Sequence, residues 1–207
     1  MRVAILSESS ADEAAMRVLV DAVLGVKTVP ITNFPLQSRG FNSVRAALAV
    51  IIRFLHYRTD ADGLVVVVDS NHTTLEEAGE KNRLRELRET ADGVRARLGS
   101  VAGRIPLRVA IGVAAPAIEA WLLCKRHLEI SEAAWEQGLR NKQDPYSKLE
   151  LKRRLYGVEF ASLELMTWKM TEAARELAAD LVQVERMFPK GFGTMAGQLR
   201  DWRRVGR

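Results

Sequence analysis

Three acidic residues stand where acids are costly unless they are used. Glu8 follows the apolar run Val3-Ala4-Ile5-Leu6, Asp69 ends Gly63-Leu64-Val65-Val66-Val67-Val68, and Glu119 lies just past a further apolar run, Leu107 to Val113. Runs of this length and type predict strands, and the unbroken valines predict a strand buried on both faces of a parallel sheet. In open parallel sheets ligands gather at the carboxyl ends of the strands. All three acids fall on that edge. With strand order 2-1-3-4, the first and third strands are neighbours ~4.8 Å apart. Glu8 and Asp69 are then close enough to share one hard cation. An oxygen-only set with open positions suits Mg²⁺ or Mn²⁺ and phosphate chemistry. Glu8 and Glu119 also suit the positive start of the helices that follow them. Asp69 has no such alternative, because an acid closing four valines needs a partner.

The elements that would position these acids are legible in outline. Arg2–Leu6 reads as the first strand. Ser10 and Glu13 have capping-box spacing, and the helix they open ends at Gly25. Val26 to Thr32 reads as a second strand, Asn33 to Gly40 as a loop, and Asn42 to Tyr57 as a well-buried helix. A charged helix is expected from Leu75 to Leu98. Its six acids and six bases cancel, while Leu84, Leu87, Ala91, Val94 and Leu98 form an apolar stripe. Pro116 suits the first turn of a helix continuing from Ile118 to His127. Beyond Leu128 only helices are expected, near Ser131–Gly138, Tyr146–Tyr156, Thr167–Met187 and Thr194–Arg204. Strands alternating with helices predict an α/β fold, a doubly wound parallel sheet of about four strands. Residues 1–130 form the α/β domain in this reading, and residues 131–207 a helical appendage with a basic tail.

Composition sets outer bounds. The chain has 207 residues, 47% hydrophobic and 28% charged, which excludes a disordered or collagen-like protein. Cys124 is the single cysteine, so a disulfide scaffold is excluded and a reducing, cytoplasmic setting is expected. No stretch has the length and apolarity to span a membrane, and the N-terminus lacks the pattern of a secretory signal. The net charge of +5 is carried by the tail: Arg186, Lys190, Arg200, Arg203, Arg204 and Arg207 face one acid, Asp201. Such a tail suits nucleic acid, and equally a solvated helix end. His56, His72 and His127 lack zinc spacing. His72 falls near Asp69 and is a candidate acid or base. No Gly-x-x-x-x-Gly-Lys loop is present, which excludes P-loop nucleotide binding. Trp121 and Trp168 read as core anchors.

These same residues carry a resemblance. Glu8-Ser9-Ser10-Ala11-Asp12-Glu13 resembles the Glu-Gly-x-Ser/Thr-Asp/Glu opening of Toprim domains. Val65-Val66-Val67-Val68-Asp69-Ser70-Asn71 resembles their Asp-x-Asp strand end. Pro116-Ala117-Ile118-Glu119-Ala120-Trp121-Leu122-Leu123 resembles the signature of a bacterial Toprim-like family of unknown function. That family is related to the nuclease halves of overcoming-lysogenization-defect (OLD) proteins of anti-phage defence. Thr167-Trp168-Lys169-Met170 and the Phe188–Phe192 region resemble its C-terminal half. The resemblance implies a Toprim fold and Mg²⁺- or Mn²⁺-dependent phosphodiester hydrolysis. In it Glu8 is a metal ligand or general base, Asp69 the principal ligand and Asn71 a neutral ligand. Glu119 is an added acidic group and Lys169 a phosphate or transition-state contact. It also implies an ATP-binding-cassette-type or OLD-like ATPase partner. Two positions depart from the pattern: Ser9 replaces the glycine, and Asn71 replaces the second aspartate. Asp12 and Glu13 suit the first turn of their helix, and either would supply the missing charge. The rival expectation is a non-catalytic Toprim-like module that binds an ATPase or nucleic acid. A third is a small-molecule phosphatase or nucleotide-binding enzyme on the same sheet.

Overall fold

The computed structural model describes residues 1–32, 40–75 and 82–204. Positions 33–39 of the expected Asn33–Gly40 loop, positions 76–81 of the expected charged helix, and Arg207 lie outside them. The chain is an α/β protein built on four parallel strands: β1 (Arg2–Leu6), β2 (Val29–Ile31), β3 (Gly63–Asp69) and β4 (Arg108–Ala114), in the order β2-β1-β3-β4. Val65 to Val68 are buried, as an inner strand covered on both faces requires. Register places Leu6 beside Val66 and Asp69 beside Ala114, so the strand ends align along one edge.

Parallel neighbours need crossovers, and these run right-handed. That rule puts α1 (Ser10–Leu24) on one face and α2 (Phe41–Arg58) and α3 (Arg83–Arg95) on the other. Observed packing agrees: α2 lies against α3, while α1 lies against two later helices, α7 (Leu163–Ala178) and α9 (Thr194–Arg204). Between them come α4 (Ile118–Leu123), α5 (Glu132–Asn141), α6 (Lys148–Tyr156) and α8 (Leu181–Met187), then a π-helical turn at Pro189–Gly193. One continuous apolar core runs from Val3 to Trp202. Among the described residues no strand follows β4, and no helix is long and apolar enough to cross a membrane.

Several boundaries move for local reasons. The cap of α1 is Ser9, not Ser10; its hydroxyl accepts from the Asp12 N–H at 3.1 Å. Gly25 ends the helix at φ +62°, a left-handed turn that glycine adopts without penalty. β2 is only Val29–Ile31, because Thr28 is drawn out of the strand by the Asp21 carboxylate, which accepts from its N–H and its hydroxyl. The charged helix starts at Arg83, where the Asn82 side chain caps it. Pro116 is not in the first turn of α4. It follows a cis peptide bond, and Ala117 occupies the cap. The helix expected over Thr167–Met187 breaks at Asp180, which caps α8.

The last helix returns to the sheet and covers the outer edge of β4. The Ile111 N–H donates to Gln198 Oε1 at 2.8 Å, and the Arg108 guanidinium donates to the Trp202 carbonyl. A sheet edge left open is a template for unwanted pairing. Closeness of approach dictates glycine at the start of β3: a Cβ on Gly63 would lie 2.5 Å from the Trp202 ring. Trp202 is 5% exposed, so its ring has little room to move aside. Gly63→Ala should therefore lower the unfolding free energy by ~1–3 kcal/mol, measured by urea denaturation. An unchanged midpoint would mean that α9 does not press on β3.

Candidate functional site

The acids expected along the carboxyl edge meet there, and Asp69 is their hub. Its N–H donates to Glu8 Oε1 at 2.9 Å. Glu8 lies beyond the end of β1, so its side chain supplies an acceptor where that strand has run out. The Asp69 carbonyl accepts from the Arg83 guanidinium at 2.6 Å, and Arg83 also stands 3.8 Å from Glu8 Oε1. Oδ1 of Asp69 accepts from the Ile118 N–H at 3.1 Å, and Oδ2 takes the Lys148 ammonium at 2.5 Å.

Beyond Asp69 the chain stays bonded to the β4 side. Ser70 N–H donates to the Ala114 carbonyl and Asn71 N–H to that of Pro116. These bonds hold Asn71 at φ +53°, a left-handed conformation that asparagine tolerates better than most residues. Its Oδ1 accepts from the same Lys148 ammonium at 2.7 Å.

Two further carboxylates face this hub. Glu119 is 5% exposed and accepts from the Tyr156 hydroxyl at 2.8 Å. Burial, then the charge of Asp69, raises its pKa; hydrogen bonds from its own backbone and from Tyr156, and then the charge of Lys152, oppose this. Burial and the Glu119 charge push the Tyr156 hydroxyl up in turn. Asp12, one turn into α1, is pushed up to about 8 by burial and by Asp69, Glu119 and Glu8 together. Glu8 is raised by burial and by Asp69. Glu8, Asp12, Asp69 and Glu119 thus outnumber the cations around them. Buried like charges without full compensation keep their protons longer.

Other candidates fall elsewhere. The Lys169 ammonium lies 4.2 Å from the Trp168 ring centre and 3.4 Å from Glu172. Trp168 is 55% exposed, so it is not a core anchor, whereas Trp121 is fully buried. His72 has its side chain 74% exposed, 3.8 Å from Asp144. Glu13 faces Arg17. In the basic tail Arg200 pairs with Glu185, and Arg186 and Lys190 line, with Arg140, a cavity of about 500 Å³ beside α5. Cys124 is buried, and burial pushes its thiol up to about 12.

Lys148, Tyr156 and Arg83 are the members that sequence reasoning missed. One signal was present. Lys148 and Arg83 are each the first residue of a helix, where a cation opposes the helix dipole. A base placed there needs an acid from elsewhere.

The fold and edge define a class: a parallel α/β protein with an acid cluster, closed by a lysine, at the carboxyl ends of its strands. No protein family, curated protein or solved structure matches the chain.

Asp12 yields a pH prediction. Its carboxyl titrates near 3.8 when unfolded and near 8 when folded, so the folded state holds the proton longer. Its contribution to stability falls as pH rises from about 4 to about 8, by at most ~1.4 kcal/mol per unit, and levels off above. Asp12→Asn removes that loss. The unfolding free energy of the variant minus that of the wild type should climb between pH 5 and 8 in a urea titration. A flat difference would show that its neighbours do not load Asp12.

Proposed function

We propose that this chain is a Toprim-like phosphoryl-transfer enzyme, a metal-dependent nuclease acting on phosphodiesters. The supporting observation is the excess of buried carboxylate at the carboxyl edge, where Glu8, Asp12, Asp69 and Glu119 share one small region. Such a concentration is relieved by protonation, as at Asp12, or by a bound cation. The donors are all hard oxygens, which fits Mg²⁺ or Mn²⁺ in chemistry and in charge. Among the described residues no three acids, histidines or cysteines are arranged to hold an ion. Lys148 already fills the corner between Asp69 and Asn71. Glu8, Asp12 and Glu119 are the carboxylates of the cluster that make no hydrogen bond to Lys148, and as placed they do not form an ion-holding set.

When bound, such an ion supplies Lewis acidity and a water acidified for attack. The chain's own groups do the rest. Lys148 presents three N–H donors, of which Asp69 and Asn71 take two, leaving one that would serve a phosphoryl oxygen. Tyr156 fixes one oxygen of Glu119, leaving the other to act. Arg83 anchors Asp69 through its carbonyl without consuming its carboxylate. Lys169 keeps the phosphate-contact role that the resemblance implies only if substrate reaches α7, and Lys148 replaces it at the cluster. Nucleic acid is the substrate class, with Arg186 and Lys190 of the basic tail as outer contacts. The partner is an ABC-type or OLD-like ATPase, and the setting is phage defence in the cytoplasm. Those last elements rest on the resemblance carried by Pro116 to Leu123.

One observation favours a second reading, a non-catalytic module. An ammonium already balances Asp69, and Phe160, 89% exposed, and Trp168, 55% exposed, each present an apolar side chain outward.

The test is cleavage of DNA and RNA by purified protein with and without Mg²⁺ or Mn²⁺. Glu119→Gln keeps an acceptor for Tyr156 and removes the charge. It should leave the unfolding midpoint unchanged or higher and lower metal-dependent cleavage by ~10²–10⁴-fold. Undiminished cleavage would remove Glu119 from the site. No cleavage by wild type with either metal would assign the chain to the non-catalytic reading.

A further inference from the structure

We propose that the cavity between α5 and the π-helical turn is a binding site for a phosphate monoester, with Arg186 and Lys190 as its anion contacts. None of the strand-edge acids lines this cavity. The proposal meets the proposed function only in the use of these two bases, and it goes further by naming the chemical group they take.

Unspent charge is the first argument. Arg186 and Lys190 line the cavity of about 500 Å³ together with Glu132 and Glu136. Opposite charges in one cavity are expected to pair. Among the described residues, however, neither basic side chain makes a hydrogen bond or an ion pair. The glutamates, 2% and 5% exposed, are committed elsewhere. Glu132 accepts from the backbone N–H groups of Lys190 at 3.0 Å and Gly191 at 2.8 Å, so it feels the Lys190 charge without contacting the ammonium. Glu136 accepts from the Leu75 N–H at 2.8 Å and the Thr74 hydroxyl at 2.9 Å. All four carboxylate oxygens are thus used. Other bases of the helical half do pair: Arg126 with Glu176, Arg154 with Glu129 and Arg200 with Glu185. Glu185 precedes Arg186 in sequence and still turns to Arg200.

Placement is the second. Lys190 belongs to the π-helical turn, whose backbone is held from two sides. Glu132 binds it on one, and on the other a Cβ at Gly191 would lie 2.3 Å from the Val113 carbonyl. Phe188 and Phe192, fully buried, anchor its flanks. A cation carried on a fixed backbone loses less freedom when an anion arrives. Arg186 and Lys190 are both exposed, so a ligand reaches them without opening the fold.

Ligand chemistry is the third. Two unpaired cations match a dianion. A phosphate monoester carries nearly two charges at neutral pH, whereas a diester or a carboxylate carries one. The guanidinium offers a planar fork to two oxygens and the ammonium a point charge to a third. The cavity also has an apolar part in Met187, Pro189 and Leu128, the last 65% exposed. Its volume is that of small-ligand sites. The fit is therefore an organic body with a phosphate at one end. Such a group comes from a free nucleoside monophosphate or from the phosphorylated end of a nucleic-acid strand.

Binding is measured by isothermal titration calorimetry in EDTA, so that metal-dependent cleavage does not intervene. The probes are adenosine 5′-monophosphate, adenosine, and a short oligothymidine with and without a 5′-phosphate. The proteins are wild type, Arg186→Gln, Lys190→Gln and, as a charge control away from the cavity, Arg97→Gln, each checked for folding by circular dichroism. Wild type should bind the monophosphate at least ~10-fold more tightly than adenosine, and Arg186→Gln and Lys190→Gln should each weaken it by ~10-fold or more. Arg97→Gln should not. If Lys190→Gln disturbs the turn, Arg186→Gln decides. A preference for the phosphorylated strand that Arg186→Gln abolishes would assign the site to a strand end; monophosphate binding without that preference would assign it to a free ester. Equal binding with and without phosphate for both pairs of probes would overturn the proposal. So would a phosphate preference that survives Arg186→Gln, an equal loss in Arg97→Gln, or no binding of any probe. None of these results bears on whether the acid edge cleaves phosphodiesters, which the cleavage test decides by itself.

Discussion

Asp69 satisfies every polar atom it has with a different part of the chain: its N–H with Glu8, its carbonyl with Arg83, and its two carboxylate oxygens with Ile118 and Lys148. Those partners come from the loop after β1 and from the first residues of α3, α4 and α6. A single strand-end residue therefore fixes where three helices begin and where the first strand's extension passes. Its position is set in turn by the β3–β4 register, which places it beside Ala114. The arrangement is over-determined. That is what allows it to hold a buried Asp12 beside three other carboxylates, where burial first and their charges second push its pKa up to about 8.

Two of those helices begin with a base. Local helix energetics disfavours Arg83 and Lys148 at their positions by ~0.3–1 kcal/mol each. The long-range bonds to Asp69 and Glu8 outweigh that, because charge-assisted hydrogen bonds in a half-buried setting are worth ~1.5–3 kcal/mol. The acid cluster thus organises the helical half of the protein, and the helical half supplies the cations that make the cluster tolerable. Tyr156 extends the same logic to Glu119, which burial would otherwise leave poorly satisfied.

The strand order and the acid edge were legible because they follow from local patterns. Four valines ending in an aspartate mark an inner parallel strand and its functional end, and the spacing to Glu8 and Glu119 follows from the strand–helix alternation. Lys148 was not legible as a site residue. It lies 79 positions from its partner, and periodicity carries no information about which helix end docks on which strand end. Asp12 carried two meanings at once, a first-turn helix acid and a fourth carboxylate, and only the fold separates them. Trp168 misled because tryptophan in a helix with apolar neighbours predicts burial. α7 instead buries Met170, Ala173, Ala174 and Leu177 and turns the indole outward. The split of the long C-terminal helix at Asp180 was hidden because the run Leu177-Ala178-Ala179-Asp180-Leu181-Val182 reads as continuous helix until the aspartate side chain is seen capping the next turn.

The covering of β4 by α9 has a consequence for biosynthesis. The strand is complete at Ala114, and its outer edge is closed by Gln198 and Trp202, roughly 90 residues later. At translation rates of about 5–20 residues per second, ~5–20 s separate the two events. Throughout that interval the Ile111 N–H on the outer side of β4 lacks the partner it finds in Gln198, and neighbouring ribosomes on the same message carry identical borders. The sheet is therefore complete in sequence well before the helix that covers its β4 edge has been made.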